Sequence, residues 1–433
     1  AEPAGIPAAY INSALTENQI AKALQLAAQG SYKIIYVAPE RLESPTFQSF
    51  AASAEISMLT VDEAHCISQW GQDFRPSYLR ILDFIDSLPR RPIVSAFTAT
   101  ATREVKDDIA QTLRLRDPEI VITGFDRPNL YYRVETTRRK DAFVADYVRS
   151  HPGESGIIYC ATRKNVDAVQ EMLRGEDISA ARYHAGMTNE ERRQSQNDFI
   201  YDTAPVIVAT NAFGMGIDKS NVRYVIHYNM PQSMENYYQE AGRAGRDGLP
   251  SQCILLFSPQ DIVINRFLLD HKENDDLDDE AADLLRARDN QRLQAMANYC
   301  QTTGCLRNYI LRYFGEEPAE PCGSCGNCDR EFEEVDMTAQ AKWMINCVAE
   351  TRGRYGKGVV LNTLRGANMA RLRELGAMDY RSYGQLKDCT RDELDCLLAQ
   401  LLEEGYLVQT DDQYAVLHMG NITPLKHCLL YTS

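Results

Sequence analysis

Residues 56–65 read ISMLTVDEAH, and the rest of the chain is organised around this stretch. A short apolar run followed by carboxylates is typical of a buried strand in a parallel sheet, and it places Asp62 and Glu63 at the carboxyl end of that strand. Open α/β sheets bind ligands at that edge. An aspartate there can hold Mg²⁺ through water, and the next glutamate can orient or deprotonate a water that attacks a γ-phosphate. The letters DEAH alone fit a solvated loop about as well, so the prediction depends on the segments that follow.

Those segments occur in a fixed order: residues 95–100 (SAFTAT), 156–160 (GIIYC), 206–218 (VIVATNAFGMGID) and 239–248 (QEAGRAGRDG). Together with residues 56–65, the series resembles motifs II to VI of a superfamily 2 helicase, and in detail those of the RecQ family of DNA helicases. The resemblance extends over about residues 1–420. It implies an α/β fold of two RecA-like parallel-sheet lobes, with ATP and Mg²⁺ between them. It also implies an enzyme that hydrolyses ATP, unwinds DNA from 3′ to 5′, and acts in DNA repair and recombination.

The resemblance implies roles for individual residues as well. The catalytic set would be Asp62, Glu63, His65, Arg243 and Arg246. The nucleotide would be bound by Asp62, Glu63, Gly216, Asp218, Gln239, Arg243 and Arg246. The DNA would contact Arg41, Trp70, Phe74, Arg75, His184 and Thr210. Some of these contacts have a plainer alternative: core packing for Trp70 and Phe74, and a turn with a helix cap at Arg41.

The two arginines of the last motif are three residues apart, so on a helical turn Arg243 and Arg246 would face one way. A guanidinium pair aimed at a neighbouring lobe can neutralise charge that develops on a γ-phosphate, an effect of about 10³–10⁵ in rate for arginine fingers. The resemblance assigns Arg246 as the finger and places Arg243 beside it. A surface arginine pair in a salt-bridged helix is the structural alternative.

A cysteine cluster indicates a metal site. Four cysteines with the spacing C-x₁₆-C-x₂-C-x₂-C suit tetrahedral Zn²⁺: Cys305, Cys322, Cys325 and Cys328. The residues read alone leave Cys300 open as a ligand in place of Cys305, and the RecQ pattern matches Cys305. The other cysteines are scattered singly and are expected to be small buried hydrophobes.

After the cysteines, helical patterns close on a short hairpin, which is typical of a winged helix. The resemblance implies a winged-helix RecQ C-terminal domain that grips duplex DNA and could also bind a single-stranded-DNA-binding protein; the pattern alone fits a protein-docking winged helix equally well. The predicted domains are a partial first lobe (1–124), a second lobe (125–262), a helical zinc-binding domain (263–334), the winged helix (335–420) and a tail (421–433). The tail fits no family pattern and is expected to be non-native.

Composition excludes few classes of function. The chain has 433 residues, 44% of them hydrophobic, which is ordinary for soluble globular folds. The net charge of −15 argues mildly against nucleic-acid binding, but six of the 61 acidic residues are concentrated in a run at residues 273–280, so basic grooves can exist elsewhere. Without a signal-like start or a long apolar run, we expect a monomeric cytoplasmic protein with no membrane contact.

One expected motif is missing from the sequence. A P-loop needs Gly-x-x-x-x-Gly-Lys-Ser/Thr, and the 433 residues contain no such string; residues 355–358 (YGKG) lack both its spacing and its hydroxyl. We therefore expect a chain truncated in its first lobe, which binds DNA and zinc but does not hydrolyse ATP. The rivals are a non-enzymatic DNA-binding module and an RNA helicase of the same superfamily, and the zinc and winged-helix patterns argue against the second.

Overall fold

A computed structural model describes residues 5–12, 15–68, 71, 74–214, 218–271, 279–318, 320–330, 336–410 and 415–421. The described residues form two compact units. The smaller unit holds those within 5–125 and 313–316, and the larger holds those within 126–271, 279–312 and 317–421. None of the helices in these residues combines the length and the apolar character that a membrane span requires.

The smaller unit alternates parallel strands with helices, as its sequence predicts. Its strands are β1 (Ala8–Ile11), β2 (Ile34–Val37), β3 (Met58–Val61) and β4 (Ile93–Ala96). Its helices are α1 (Glu17–Ala28), α2 (Pro45–Ser53), α3 (Pro76–Ser87) and α4 (Arg103–Thr112). Strand β1 pairs with β2 and β3 pairs with β4, both in parallel. Thr16 is the N-cap of α1 and forms a complete capping box, which is a local sequence signal for the start of this helix.

These strands are buried on one face only. All four helices share a single core with alternate strand residues such as Ile11, Val61 and Val94. The opposite face carries large exposed side chains, among them Met58 at 53% and Ile93 at 71% exposure. The prediction that residues 56–61 form a fully buried strand is therefore wrong, because the helices of this unit pack on the same side of the strands.

The larger unit contains a six-stranded parallel sheet. Its strands are β5 (Leu130–Thr136), β6 (Ser155–Tyr159), β7 (Ala180–Tyr183), β8 (Val206–Ala209), β9 (Val222–His227) and β10 (Ser251–Phe257), in the order β5-β10-β9-β6-β8-β7. The helices around it are α5 (Lys140–Ser150), α6 (Arg163–Gly175), α7 (Asn189–Ile200), α8 (Met234–Ala241) and α9 (Pro259–Asp270). The central strands are almost wholly buried, as expected for a parallel sheet that helices cover on both faces.

The remaining elements of this unit are helical and end in a small hairpin. They are α10 (Asp279–Gln301), α11 (Leu306–Tyr313), α12 (Thr338–Glu350), α13 (Lys357–Leu364), α14 (Ala370–Glu374), α15 (Arg391–Glu403), β11 (Leu407–Gln409) and β12 (Leu417–Met419). Strands β11 and β12 are antiparallel and close a core formed with α12, α13 and α15, which is the winged-helix pattern. Helices α10 and α11 are separated between Gln301 and Leu306. The predicted tail lies almost entirely outside the described residues.

Candidate nucleotide, nucleic-acid and metal sites

The DEAH segment forms a tight turn where β3 ends. Glu63 has a left-handed backbone, with φ of 47° and ψ of 44°, which is uncommon for a residue other than glycine. The Asp62 carboxylate accepts a hydrogen bond from the Glu63 amide at 2.9 Å, and this bond steadies the turn. Backbone strain of this kind clusters at functional sites. Asp62 and Glu63 directly follow Val61, so both lie at the carboxyl end of β3, as the sequence predicted.

An imidazole links this turn to the end of β4. His65 is 3% exposed, and its Nδ1 lies 2.9 Å from the Thr98 hydroxyl and 3.4 Å from Glu63 Oε2. The imidazole of His65 thus connects Thr98 to Glu63. Thr100 is buried, and its hydroxyl finds no partner among the described residues.

Three of the predicted DNA contacts of the smaller unit are among the described residues. Arg41 ends a short 3₁₀ helix, and its guanidinium lies 3.3 Å from the Glu17 carboxylate. Phe74 and Arg75 are half-buried just before α3, and the Arg75 amide donates to the Cys66 carbonyl at 3.0 Å. Trp70 lies outside the described residues.

In the larger unit, the two arginines of the last motif have different surroundings. Helix α8 ends at Ala241, and Gly245 takes a left-handed φ of 56°, so the prediction that both arginines share one helical face is wrong. Arg243 is 8% exposed, and its Nη1 donates to the Gly214 carbonyl at 2.6 Å. The side chain of Arg246 is 38% exposed and lies 3.5 Å from Asp218. Arg246 is therefore the more accessible cation of the two.

Gly214 allows this close approach of Arg243. A Cβ on Gly214 would lie 2.5 Å from Arg243 Nη2, closer than any side chain tolerates without a shift. The neighbouring Gly216, predicted to bind nucleotide, lies outside the described residues. Gln239 is partly buried on α8.

Sequence reasoning missed a group of buried side chains around Phe213 and Gly214. The Tyr159 hydroxyl donates to the Phe213 carbonyl at 2.9 Å, and burial raises the pKa of this phenol. His227 and Glu240, both buried, are joined through Nε2 and Oε2 at 2.9 Å. Tyr159 and Arg243 thus hold two successive carbonyls, those of Phe213 and Gly214. Their partners are distant in sequence, so no local pattern marks them.

His184 and Thr210 are both buried, although each was predicted to contact DNA. His184 is 7% exposed; its Nε2 lies 3.3 Å from Asp167, and its Nδ1 accepts from the Gly186 amide. Burial by itself would raise the pKa of Asp167, but hydrogen bonds from Arg182 and His184 lower it. The Thr210 amide donates to the carbonyl of Tyr183.

The structure brings the four predicted cysteines together. The sulfurs of Cys305, Cys322, Cys325 and Cys328 lie within 4.8 Å of one another. Tetrahedral zinc with Zn–S bonds of about 2.3 Å requires sulfurs about 3.8 Å apart. Cys322 and Cys328 are 3.9 Å apart, which is close to that separation. The alternative ligand, Cys300, is buried outside this group, and its burial raises the pKa of its thiol.

Backbone amides prepare the cluster for metal. The amides of Cys322 and Asn308 donate to the Cys305 sulfur at 3.3 and 3.5 Å. Burial alone would raise the pKa of Cys325, but amide hydrogen bonds outweigh it and lower the value to about 7. Since the thiolate is the form that binds metal, the amides around Cys325 favour metal ligation by that residue.

Comparison with known proteins identifies the class. Four family descriptions match in succession along the chain: DEAD/DEAH box helicase (4–108), helicase conserved C-terminal domain (139–248), RecQ zinc-binding (259–329) and RQC domain (331–423). The first two define a two-lobed helicase, and the last two are particular to one family within that class.

Similar proteins narrow the class further. The chain is 41% identical to an ATP-dependent DNA helicase RecQ of Bacillus subtilis over 97% of its own length and 70% of that protein. It is 35% identical to the RecQ of Pasteurella multocida over 95% of the chain and 63% of that protein. It is 36% identical to the RecQ of Haemophilus influenzae over 94% of the chain and 64% of that protein. The chain belongs to the RecQ family of DNA helicases, and it spans slightly less than two thirds of the Pasteurella and Haemophilus relatives.

Proposed function

We propose that the protein is an ATP-dependent DNA helicase that moves from 3′ to 5′ and serves DNA repair and recombination. The observation that carries this proposal is the strained turn at the end of β3, where Asp62 and the left-handed Glu63 are tied through His65 to the next strand. It supports a site in which Asp62 holds Mg²⁺ through water and Glu63 orients or deprotonates the attacking water. Bound Mg²⁺ would neutralise charge on the β- and γ-phosphates.

The second lobe would supply positive charge to the same nucleotide. We assign Arg246 as the arginine finger because its guanidinium is accessible, whereas Arg243 is buried and bonded to a carbonyl. Arg243 then acts as a positioning residue that holds the Gly214 carbonyl, two residues before Gly216 in the sequence. Gln239 completes the group proposed to contact the nucleotide.

DNA would follow the predicted contacts that are not buried, with aromatic stacking at Trp70 and Phe74 and contacts to the DNA backbone from Arg41 and Arg75. His184 is buried, so its contribution would be to shape the surface through Asp167 and Arg182. The winged helix would grip duplex DNA and could dock a single-stranded-DNA-binding protein. We further propose that the protein acts as a monomer with the domain limits given above.

We also propose that residues 1–433 by themselves bind DNA and zinc without hydrolysing ATP, because they contain no phosphate-binding loop. A non-enzymatic DNA-binding module is the second candidate, supported by a zinc cluster and a winged-helix core that form without that loop.

Glu63→Gln tests the assignment in a longer chain that carries a P-loop. The variant is expected to bind ATP and DNA and to lose DNA-stimulated hydrolysis, since the amide cannot accept the water's proton. Arg246→Ala should likewise lose turnover and keep its affinity for DNA. Hydrolysis by Glu63→Gln at close to the parental rate would show that this site is wrongly assigned.

A further inference from the structure

Strand β5 lies at one end of the six-stranded sheet and has a strand neighbour, β10, on one side only. The other side of an edge strand presents carbonyls and amides that can pair with another chain. Because N–H and C=O groups alternate in direction along a strand, the outward carbonyls are those of every second residue. Here they include the carbonyls of Leu130, Tyr132 and Val134, and each accepts a hydrogen bond.

The donors all come from the zinc-binding segment. The three bonds run from Arg307 Nη2 to the Leu130 carbonyl at 2.8 Å, from the Gly326 amide to the Tyr132 carbonyl at 2.8 Å, and from Arg330 Nη2 to the Val134 carbonyl at 3.0 Å. Two are charge-assisted, and such bonds are stronger than neutral ones. A segment with no strand of its own therefore closes the free edge of the helicase sheet.

Each donor is adjacent to a zinc ligand. Arg307 is two residues after Cys305, Gly326 directly follows Cys325, and Arg330 is two residues after Cys328. The positions of the donors along β5 are consequently set by the positions of the cysteine sulfurs. A chain that loses the metal loses the constraint that holds three donors in register with three alternate carbonyls.

Close packing reinforces this alignment. A Cβ on Gly326 would lie 3.2 Å from Arg133 Cγ and 3.3 Å from its Cα, so the loop touches the strand where it has no side chain. The Tyr131 hydroxyl donates to Asp329 Oδ2 at 2.7 Å, and Arg307 is 7% exposed. These contacts belong to one compact unit.

We propose that the zinc site clamps the free edge of the second helicase lobe. Zinc binding then stabilises β5 and the sheet behind it, and it hides an edge that would otherwise pair with a second chain. This role goes beyond nucleotide hydrolysis and holds whether or not the chain turns over ATP. It assigns Arg307, Gly326 and Arg330 a part in coupling the metal to the lobe.

Hydrogen–deuterium exchange with and without zinc tests the coupling. The chain loaded with one zinc is compared with the same chain after chelation, peptide by peptide. We expect the peptides that cover Leu130–Thr136 and Ser251–Phe257 to lose protection together with residues 305–330, and to regain it when zinc is restored. Loss of protection confined to residues 305–330, with β5 and β10 unchanged, would overturn the proposal.

Substitutions at saturating zinc separate the clamp from the metal site. Arg307→Gln and Arg330→Gln should keep one zinc per chain and exchange about tenfold faster or more in Leu130–Thr136, the factor that corresponds to losing a bond of about 1.4 kcal/mol. The matched control is Arg149→Gln, because the Arg149 guanidinium bonds Asp146 and Glu176 on the surface. Unchanged exchange in β5 for both arginine variants contradicts the clamp. Loss of zinc from them would assign these arginines to the metal site and would also contradict it.

Discussion

Arg243→Ala and Arg246→Ala are expected to affect stability very differently, although the two residues stand three apart in one motif. Arg243 is 8% exposed, and its Nη1 donates to the Gly214 carbonyl at 2.6 Å. Truncation removes a buried charge-assisted hydrogen bond and leaves that carbonyl without it. Such a bond contributes about 1.5–3 kcal/mol, so we expect a loss of about 2–3 kcal/mol in the free energy of unfolding.

Arg246 differs because its side chain is 38% exposed and its partner Asp218 is 92% exposed, at 3.5 Å. Exposed ion pairs contribute about 0–1 kcal/mol, since solvent and salt screen the charges. Removing this side chain should therefore leave stability within about 1 kcal/mol of the parent. Arg246→Ala is the matched control for Arg243→Ala.

Differential scanning calorimetry of the zinc-saturated chain measures both effects. At about 2–4 °C of Tm per kcal/mol for a domain of this size, Arg243→Ala should lower the Tm of the larger unit by about 4–12 °C. Arg243→Lys keeps a charge but lacks the planar guanidinium, so its Tm should lie between those of Arg243→Ala and Arg246→Ala. Equal shifts for Arg243→Ala and Arg246→Ala would refute the distinction between a positioning residue and an accessible cation.

Four other variants test three separate parts of the structure. Cys325→Ser should lose most bound zinc by metal analysis while Cys300→Ser keeps it; the reverse would move the ligand set. The hydrogen bond from Lys219 lowers the pKa of Asp202, so its contribution to stability is present above about pH 4 and is lost as the pH falls through the lower folded value. Over a fall of about 2 pH units, from pH 5 to pH 3, the urea midpoint of Asp202→Asn should therefore decrease less than that of the parent. An equal decrease would contradict this assignment. Ile93, 71% exposed on the uncovered strand face, is expected to bind a hydrophobic dye, so Ile93→Lys should reduce dye fluorescence at unchanged zinc content; unchanged fluorescence would argue against an accessible apolar face.

The sequence predicted the features that depend on local patterns. Alternating strands and helices, the capping box at Thr16 and the winged-helix hairpin each have a signal within a few residues. The zinc site was predictable because Cys322, Cys325 and Cys328 follow one another at metal-ligand spacing. The choice of Cys305 over Cys300 as the fourth ligand needed the family pattern.

Features that depend on long-range contacts were not predictable in this way. The left-handed Gly245 separates Arg243 from Arg246, and a glycine in a motif does not reveal its φ. The one-sided burial of β3 depends on where four helices pack. The hydrogen bond from the Gly326 amide to the Tyr132 carbonyl joins residues far apart in sequence, and no local sequence pattern predicts it.

The most direct test of this account measures DNA binding and ATP hydrolysis by residues 1–433 in the same preparation, with zinc bound. We predict salt-sensitive binding to DNA, because phosphate contacts release counterions, together with no DNA-stimulated hydrolysis. Robust DNA-dependent hydrolysis by this chain would contradict the assignment of the nucleotide site. Failure of the zinc-loaded chain to bind DNA at low salt would contradict the proposed function itself.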